Sequence, residues 1–355
     1  MQHDYTGKDV FIGIDVHKKS YSVYCICNRE KAKSWSMEAS PAKLIEQLNR
    51  YFSGARLHTV YEAGFSGYAL HRLLEEAGIK NVVVNPGSVE TASRDRVKTD
   101  KRDAKKLAEQ LSDNRLKSIY IPSAEEERLR LLTRLRTTIV KDRARIACRI
   151  KSKLFQFGYN EGLVDDTTAS IKWVNKLQGI EYFPPELKYF INYLCEQWLK
   201  FTTDLKEVNK EIAKQSKANQ QLAKLEEIYR STPGIGNISA KELSRELGTL
   251  SQFSSNKHAY SFIGLTPSES SSGENRRQGG ISHCGRPRLR HLLIEVAWRC
   301  TAKDAEMNKK FTELAYRRGK KRAIVAIARI LIGRLRYCLM SGSFYQPQGE
   351  LLNHA

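Results

Sequence analysis

Val10-Phe11-Ile12-Gly13-Ile14-Asp15-Val16-His17-Lys18 is an apolar run that ends on a carboxylate. Residues 10–15 read as a buried strand, since a short apolar run bounded by polar residues fits a strand covered on both faces. Such a strand places Asp15 at a sheet edge facing a cleft. A tight turn through His17-Lys18-Lys19 leads into Ser20 to Asn28, a second strand rich in β-formers, so the two are expected to form a hairpin. A third strand is expected near Ala32 to Ser36. A helix over Ala42 to Phe52, a strand over His58 to Ala63, a helix over Tyr68 to Ala77 and a strand over Val82 to Val84 follow, the last stopped by Asn85-Pro86-Gly87. Lys101 to Leu111 reads as a helix, and Ser118 to Pro122 as a last strand or the exit from the domain. This order predicts a mixed sheet flanked by helices, an α/β domain over residues 1–122.

Beyond it the period changes. Leu129, Leu132, Leu135, Ile139, Ile146 and Ile150 recur near helical spacing from Glu125 to Phe157, and Pro184 to Lys224 carries a second long helical pattern. The pair fits an antiparallel coiled-coil arm over residues 123–228 that serves dimerisation. Residues 229–340 form a mainly helical C-terminal domain. Its start, Leu225 to Tyr229, then Ser231-Thr232-Pro233-Gly234-Ile235-Gly236, then a helix over Ser239 to Glu246, reads as a helix-hairpin-helix-like segment. There Gly234 and Gly236 let backbone N–H groups approach a phosphate, or simply supply a turn with positive φ. The tail, 341–355, is expected to be disordered or peripheral.

The 355 residues include 60 Lys+Arg against 39 Asp+Glu, a formal charge of +21, and the pI is near 9.6. The excess is local. Arg128 to Lys153 holds ten basic residues and one acid, Gly273 to Tyr337 seventeen and five, and together these stretches carry the whole imbalance. Charge concentrated this way points to phosphate neutralisation and so to a nucleic-acid partner. The candidate contacts are Lys18, Arg128, Arg136, Arg143, Arg145, Arg149, Arg276, Arg277, Arg286 and Arg288. No apolar run approaches the roughly 18 residues of a membrane span, Ala323 to Ile332 being short and broken by Arg329. No secretory leader is evident, so a cytoplasmic protein, nucleoid-associated in action, is expected. Seven scattered cysteines without C-x-x-C pairs argue against a disulfide framework or a zinc site.

Four acids stand out. Asp15 and Glu62 each end a strand, and the glycine after Ala63 leaves room for a ligand. Asp100 and Asp103 have i,i+3 spacing, which puts both carboxylates on one helical face. Singly, each reads as a turn, cap or solvated acid. Converging, they repel one another unless a cation lies between them. Mg²⁺, hard and oxygen-seeking, suits such a set, and two ions about 3.5–4 Å apart would serve an in-line phosphoryl transfer. His17 has no second histidine at ligand spacing, so a histidine–metal reading is weak.

Gly13-Ile-Asp-Val-His-Lys18, Tyr61-Glu-Ala-Gly64, Lys98-Thr-Asp-Lys-Arg-Asp-Ala104, Pro233-Gly-Ile-Gly236 and Ser271-Ser-Gly-Glu-Asn-Arg-Arg-Gln-Gly-Gly-Ile-Ser282 together resemble, in order and over nearly the whole chain, the DEDD-type transposases of bacterial insertion sequences, the insertion-sequence "one-ten" family. The resemblance implies a ribonuclease-H-like (RuvC-like) N-terminal domain in which Asp15, Glu62, Asp100 and Asp103 bind Mg²⁺, a coiled-coil dimerisation arm, and a C-terminal transposase domain with a serine nucleophile. The serine maps best onto Ser272, which directly precedes Gly273, with Ser271 and Ser270 nearby. It further implies an RNA-guided recombinase acting on double-stranded donor and target DNA with a structured non-coding guide, the bridge RNA. A homodimer, tetrameric in the synaptic complex, and a covalent phosphoserine intermediate are expected. No membrane partner is expected.

Three other readings compete. A resolvase-type Mg²⁺ endonuclease would use the acids to activate water, but has no need of the long C-terminal region. A sugar-kinase or actin-like ATPase would read Gly13 to Lys18 as a phosphate loop, against which the basic charge and the D-x-x-D helix count. A non-catalytic nucleic-acid scaffold requires that the acids not converge.

Overall fold

The computed structural model describes residues 4–90, 99–164, 168–269, 277–282 and 284–347, and its contacts divide the chain into one unit that ends at Pro122 and another that starts at Ser123.

The first unit runs β1 (Asp9–Val16), β2 (Ser20–Cys27), β3 (Glu30–Glu38), α1 (Pro41–Tyr51), β4 (Arg56–Glu62), α2 (Ala69–Glu76), β5 (Lys80–Val84) and α3 (Asp100–Ser112). Its sheet has the order β3-β2-β1-β4-β5. β1 pairs antiparallel with β2, and β2 with β3, while β1–β4 and β4–β5 are parallel. The order and polarity are consistent with a ribonuclease-H-like domain. β3 is longer than the sequence suggests because Asn28 and Arg29, with φ of 52° and 65°, make a tight hairpin turn that sets the pairing going at once. Residues 118–122 form no strand. A single antiparallel bridge, Val84 to Ser118, holds them, and they are the exit. One face of the sheet buries Val10, Ile12 and Ile14 with Leu44 and Leu48 of α1 and Leu70 and Leu74 of α2. Ala104 and Ala108 of α3 pack against Tyr24 and Ile26, and Leu107 against Val60 and Val84.

The second unit contains α4 (Ala124–Gln156), α5 (Ile171–Gln178), α6 (Pro185–Ala218), α7 (Gln220–Arg230), α8 (Asn237–Leu247), α9 (Asn256–Ile263), β6 (Pro267–Glu269), β7 (Gln278–Ile281), α10 (Pro287–Thr301), α11 (Ala305–Arg318) and α12 (Lys320–Ser341). A capping box between Ser123 and Glu126 starts α4. α4 and α6 pair antiparallel. Ile146, Ile150 and Leu154 share a core with Leu187, Ile191 and Leu194, Arg143 reaches Thr202, and Arg136 donates to Asn209. The helical pattern from 184 to 224 is not continuous. Asn219, in extended backbone, ends α6 and caps α7 by accepting from the Leu222 N–H at 3.0 Å. α7 also crosses residue 228, the position at which the arm is expected to end. The base of α4 is joined to α8, where the buried Arg130 donates to the Arg245 carbonyl.

Ile327, Leu331, Ile332 and Leu335 of α12 lie at the centre of the C-terminal core, against Leu243, Leu247, Val296 and Ala297. The apolar stretch from Ala323 is therefore a buried helix. No helix among the described residues is long and apolar enough to cross a membrane. All seven cysteines are free, and only Cys148 and Cys284 are exposed.

The start of the tail makes a contact with the C-terminal core. Tyr345 is buried, its N–H donates to the Ser231 hydroxyl, and its own hydroxyl donates to the fully buried Asp304 at 2.7 Å while accepting from Arg334. Tyr345→Phe takes a donor from a buried carboxylate. It is expected to cost about 2 kcal/mol in chemical denaturation, and an unchanged midpoint would show that the Met307 N–H and Arg334 satisfy Asp304 without the tyrosine hydroxyl.

Candidate active site

Asp15 is the penultimate residue of β1. Gly13, two residues earlier, fixes what lies over it. A Cβ on Gly13 would stand 2.0 Å from the Ala104 carbonyl oxygen and 2.6 Å from the Ala108 nitrogen, so only glycine lets the α3 backbone rest directly on β1. α3 starts where the Thr99 hydroxyl accepts from the Arg102 N–H, which puts Asp100 and Asp103 in the first turn. The bare strand and the capped helix together bring the first turn of α3 to the end of β1.

His17 completes the cluster. Its Nε2 lies 3.2 Å from Asp15 Oδ2 and 3.3 Å from Asp100 Oδ1, and ligand atoms of Asp15, His17 and Asp100 all fall within 4.8 Å of one another. Burial pushes the Asp15 carboxyl above its ordinary value. The charge of His17 opposes this, while Asp100 and Asp103 push in the same direction as burial. Asp103 is thus close enough to be felt electrostatically, and its other neighbour is Lys106 at 4.0 Å. Glu62 comes in by register. Ile14 pairs with Tyr61 in the parallel β1–β4 ladder, so Asp15 and Glu62 each follow a paired residue at adjacent strand ends. The three groups that converge most closely do not include Glu62. In the sequence His17 has no second histidine at ligand spacing and so does not stand out as a ligand. The signal was its position two residues after a strand-end aspartate, which returns the ring to the same edge.

Ser270, Ser271, Ser272 and Arg276 lie outside the described residues. The hairpin β6–β7 flanks that segment, pairing antiparallel, with the Ser268 hydroxyl donating to the Gly280 carbonyl.

The candidate basic contacts divide into two groups. Lys18, Arg128, Arg149 and Arg277 are exposed. Arg145, also exposed, is paired with Asp142. Arg136, Arg143, Arg286 and Arg288 are engaged within the second unit. Arg143 stacks over Trp198. Arg286 binds Glu246 at 3.1 Å and lies over Phe262, and Arg288 binds Glu242. Burial pushes Glu246 up, but the bond from Arg134 and the charges of Arg134, Arg286 and Arg130 outweigh it and hold the carboxyl below its ordinary value. Gly234, at φ 90°, is accounted for by packing. A Cβ there would meet Arg299, Val296 and Cys300 of α10 at 2.8–3.1 Å, whereas Gly236 has nothing within 4 Å.

Residues 12–158 match the DEDD transposase model of the IS110 group, described as a transposase, and residues 226–312 match the model described as the transposase IS116/IS110/IS902 family. The chain belongs to the IS110-type transposases. The two matched segments contain, respectively, the acidic cluster with the start of the arm, and the hairpin with its flanking helices. Among similar proteins, a putative transposase of Sinorhizobium fredii, y4qE, is 28% identical over 298 residues, 82% of this chain and 72% of its own length. The transposase for insertion sequence element IS1533 of Leptospira borgpetersenii is 26% identical over 82% of this chain and 85% of its own. That for IS1111A of Coxiella burnetii is 26% identical over 73% and 71%. A divalent-metal requirement goes with a DEDD transposase, and the cluster suits one. Two carboxylates and one ring nitrogen within ligand distance, partly open to solvent, form a donor set for a hard cation with places left for water and phosphate oxygens.

Proposed function

We propose that this transposase is an RNA-guided DNA recombinase that cuts and rejoins strands at the ends of its element and at a target. The observation that carries the reading is the convergence of Asp15, Asp100 and His17, with Asp103 beside them, at the end of β1 in a chain of this family. Asp15, Glu62, Asp100 and Asp103 would hold Mg²⁺, as two ions, which when bound would supply positive charge to the scissile phosphate and acidify an attacking hydroxyl. Glu62 joins through its place beside Asp15 in the ladder. His17 orients Asp15 and Asp100 through its contact with both.

Ser272 is the proposed nucleophile. Its Oγ gives up its proton and attacks phosphorus, the bond to the 3′-oxygen breaks, and that oxygen leaves as a hydroxyl after taking a proton. The product is a serine–5′-phosphate ester. Attack of a different 3′-hydroxyl on that ester restores the serine and joins new strands. Arg276 and Arg277 would stabilise the charge that builds on the phosphate oxygens. The α4–α6 arm is read as a coiled-coil dimerisation element, and the α7–α8 segment as a helix-hairpin-helix-like contact to double-stranded DNA. A structured non-coding RNA is the proposed guide. Because acids and serine lie far apart in sequence, across the arm, the site is proposed to be composite between protomers, in a dimer that becomes a tetramer on synapsis.

The test combines purified protein, Mg²⁺, labelled element-end DNA and RNA transcribed from the element's non-coding flank on a denaturing gel. A covalent adduct that needs both RNA and Mg²⁺, and that Ser272→Ala abolishes, is expected. Free cut ends without adduct would assign water as nucleophile, and with it the resolvase-type endonuclease.

A further inference from the structure

Within the second unit a cavity lies under the β6–β7 hairpin. Its volume is about 560 Å³, within the range of ligand pockets, and it is lined by the hairpin, the end of α11 and the first turns of α12. Arg318, Lys321, Arg322 and Arg329 line it. The first three are exposed, and none of the four has an ion-pair partner among the described residues. α12 contains no acid at all, and Glu306 of α11 is taken up by Lys310 and Arg334. Arg329 is held over the Tyr260 ring at 4.8 Å, which fixes its position without neutralising it. The rest of the wall is apolar, with Leu314, Val325 and Ala326 on the helices and Ile281 on β7. At Gly280 the hairpin backbone is bare, since a Cβ there would meet nothing within 4 Å.

Unpaired cations close together repel, and folding gains nothing by gathering them around an apolar hollow. An anion with an apolar, flat appendage removes both costs. We propose that this cavity binds an unpaired nucleotide of a nucleic-acid strand, with the phosphate on Arg318, Lys321, Arg322 and Arg329 and the base against Leu314, Val325 and Ile281. A duplex keeps its bases stacked and paired, so it can offer the cations a phosphate but cannot offer the hollow a base. The proposal rests on the reading of the chain as a transposase that handles opened strands.

Fluorescence anisotropy of the full-length protein with labelled oligothymidylate, labelled oligouridylate and a blunt duplex, each across a salt series, tests it. Two substitutions at the cationic rim, Arg318→Gln with Arg322→Gln, are expected to weaken single-strand binding about tenfold and to flatten its log–log salt slope by about 1.4, two phosphate contacts at about 0.7 each. Ala326→Phe fills the hollow and leaves the cations. It is expected to cost single strands about tenfold, the order of one lost base contact, and the duplex nothing. Val325→Gln, close in size and polar, is the companion variant should Ala326→Phe unfold in a thermal melt. Equal losses for the two single strands support the shared nucleotide chemistry, and a loss for one alone supports the cavity and assigns it to DNA or to RNA. Unchanged single-strand affinity in both hollow variants, or an equal loss for duplex, overturns the proposal. If the unaltered chain binds no nucleic acid, the transposase reading fails first.

Discussion

Asp15→Asn is expected to abolish strand breakage, with a loss of roughly a thousandfold or more, because the substitution keeps the volume and polarity of the side chain and removes its charge. Asp15 is the most enclosed member of the cluster, and its partners leave it no substitute. Asp100 and Asp103 push its carboxyl up, and His17 pulls against them. Three like charges at the end of one strand cost stability unless a cation answers them, so removing one is expected to leave the fold intact or slightly more stable while metal affinity collapses. Asp100→Asn should behave similarly, since it deletes another of the three converging groups. Strand cleavage on a denaturing gel and Mn²⁺ titration by calorimetry give the two readouts. An Asp15→Asn protein that cleaves DNA at the unaltered rate would remove the cluster from the chemistry.

Gly13→Ala should do the opposite, damaging the fold first and the site in consequence. The new methyl would stand 2.0 Å from the Ala104 carbonyl oxygen, and because that atom is backbone, no rotamer change relieves the clash. Either α3 lifts from β1 or the sheet bends, at a cost of about 3 kcal/mol, the upper part of the range for overpacking a core. Lifting α3 also carries Asp100 and Asp103 away from Asp15, so metal binding should weaken even at temperatures where the protein stays folded. Gly64→Ala is the control. A Cβ there meets nothing within 4 Å, so thermal unfolding should be unchanged. Equal melting temperatures for the two variants would mean that α3 does not depend on the bare strand.

Much of this was readable in the chain. The run Val10 to Asp15 announced a buried strand ending on a carboxylate, and the i,i+3 acids announced one face of a helix, because strand and helix periods are local properties of sequence. Family resemblance then named the four acids together. What local pattern could not supply was contact across elements. His17 looked isolated until the β1–β2 turn folded it back between Asp15 and Asp100. Arg286 and Arg288 read as free charge, yet they face Glu246 and Glu242, which lie some forty residues earlier in the chain.

The tail shows the same division. Ser341 onward has no period, which leaves disorder and a peripheral contact equally open, but one residue suffices to anchor it once a pocket exists, and Tyr345 finds Asp304 and Arg334. The basic cavity is a third case. Arg318, Lys321, Arg322 and Arg329 were counted in the sequence as part of a charged stretch, and only the fold sets them around an apolar hollow under the hairpin. By itself the sequence determined most of the elements and the sign and location of the charge, because propensity, periodicity and composition act over a few residues. Tertiary structure alone decided which charges are paired and which are left for a ligand, because pairing depends on distances between residues far apart in the chain.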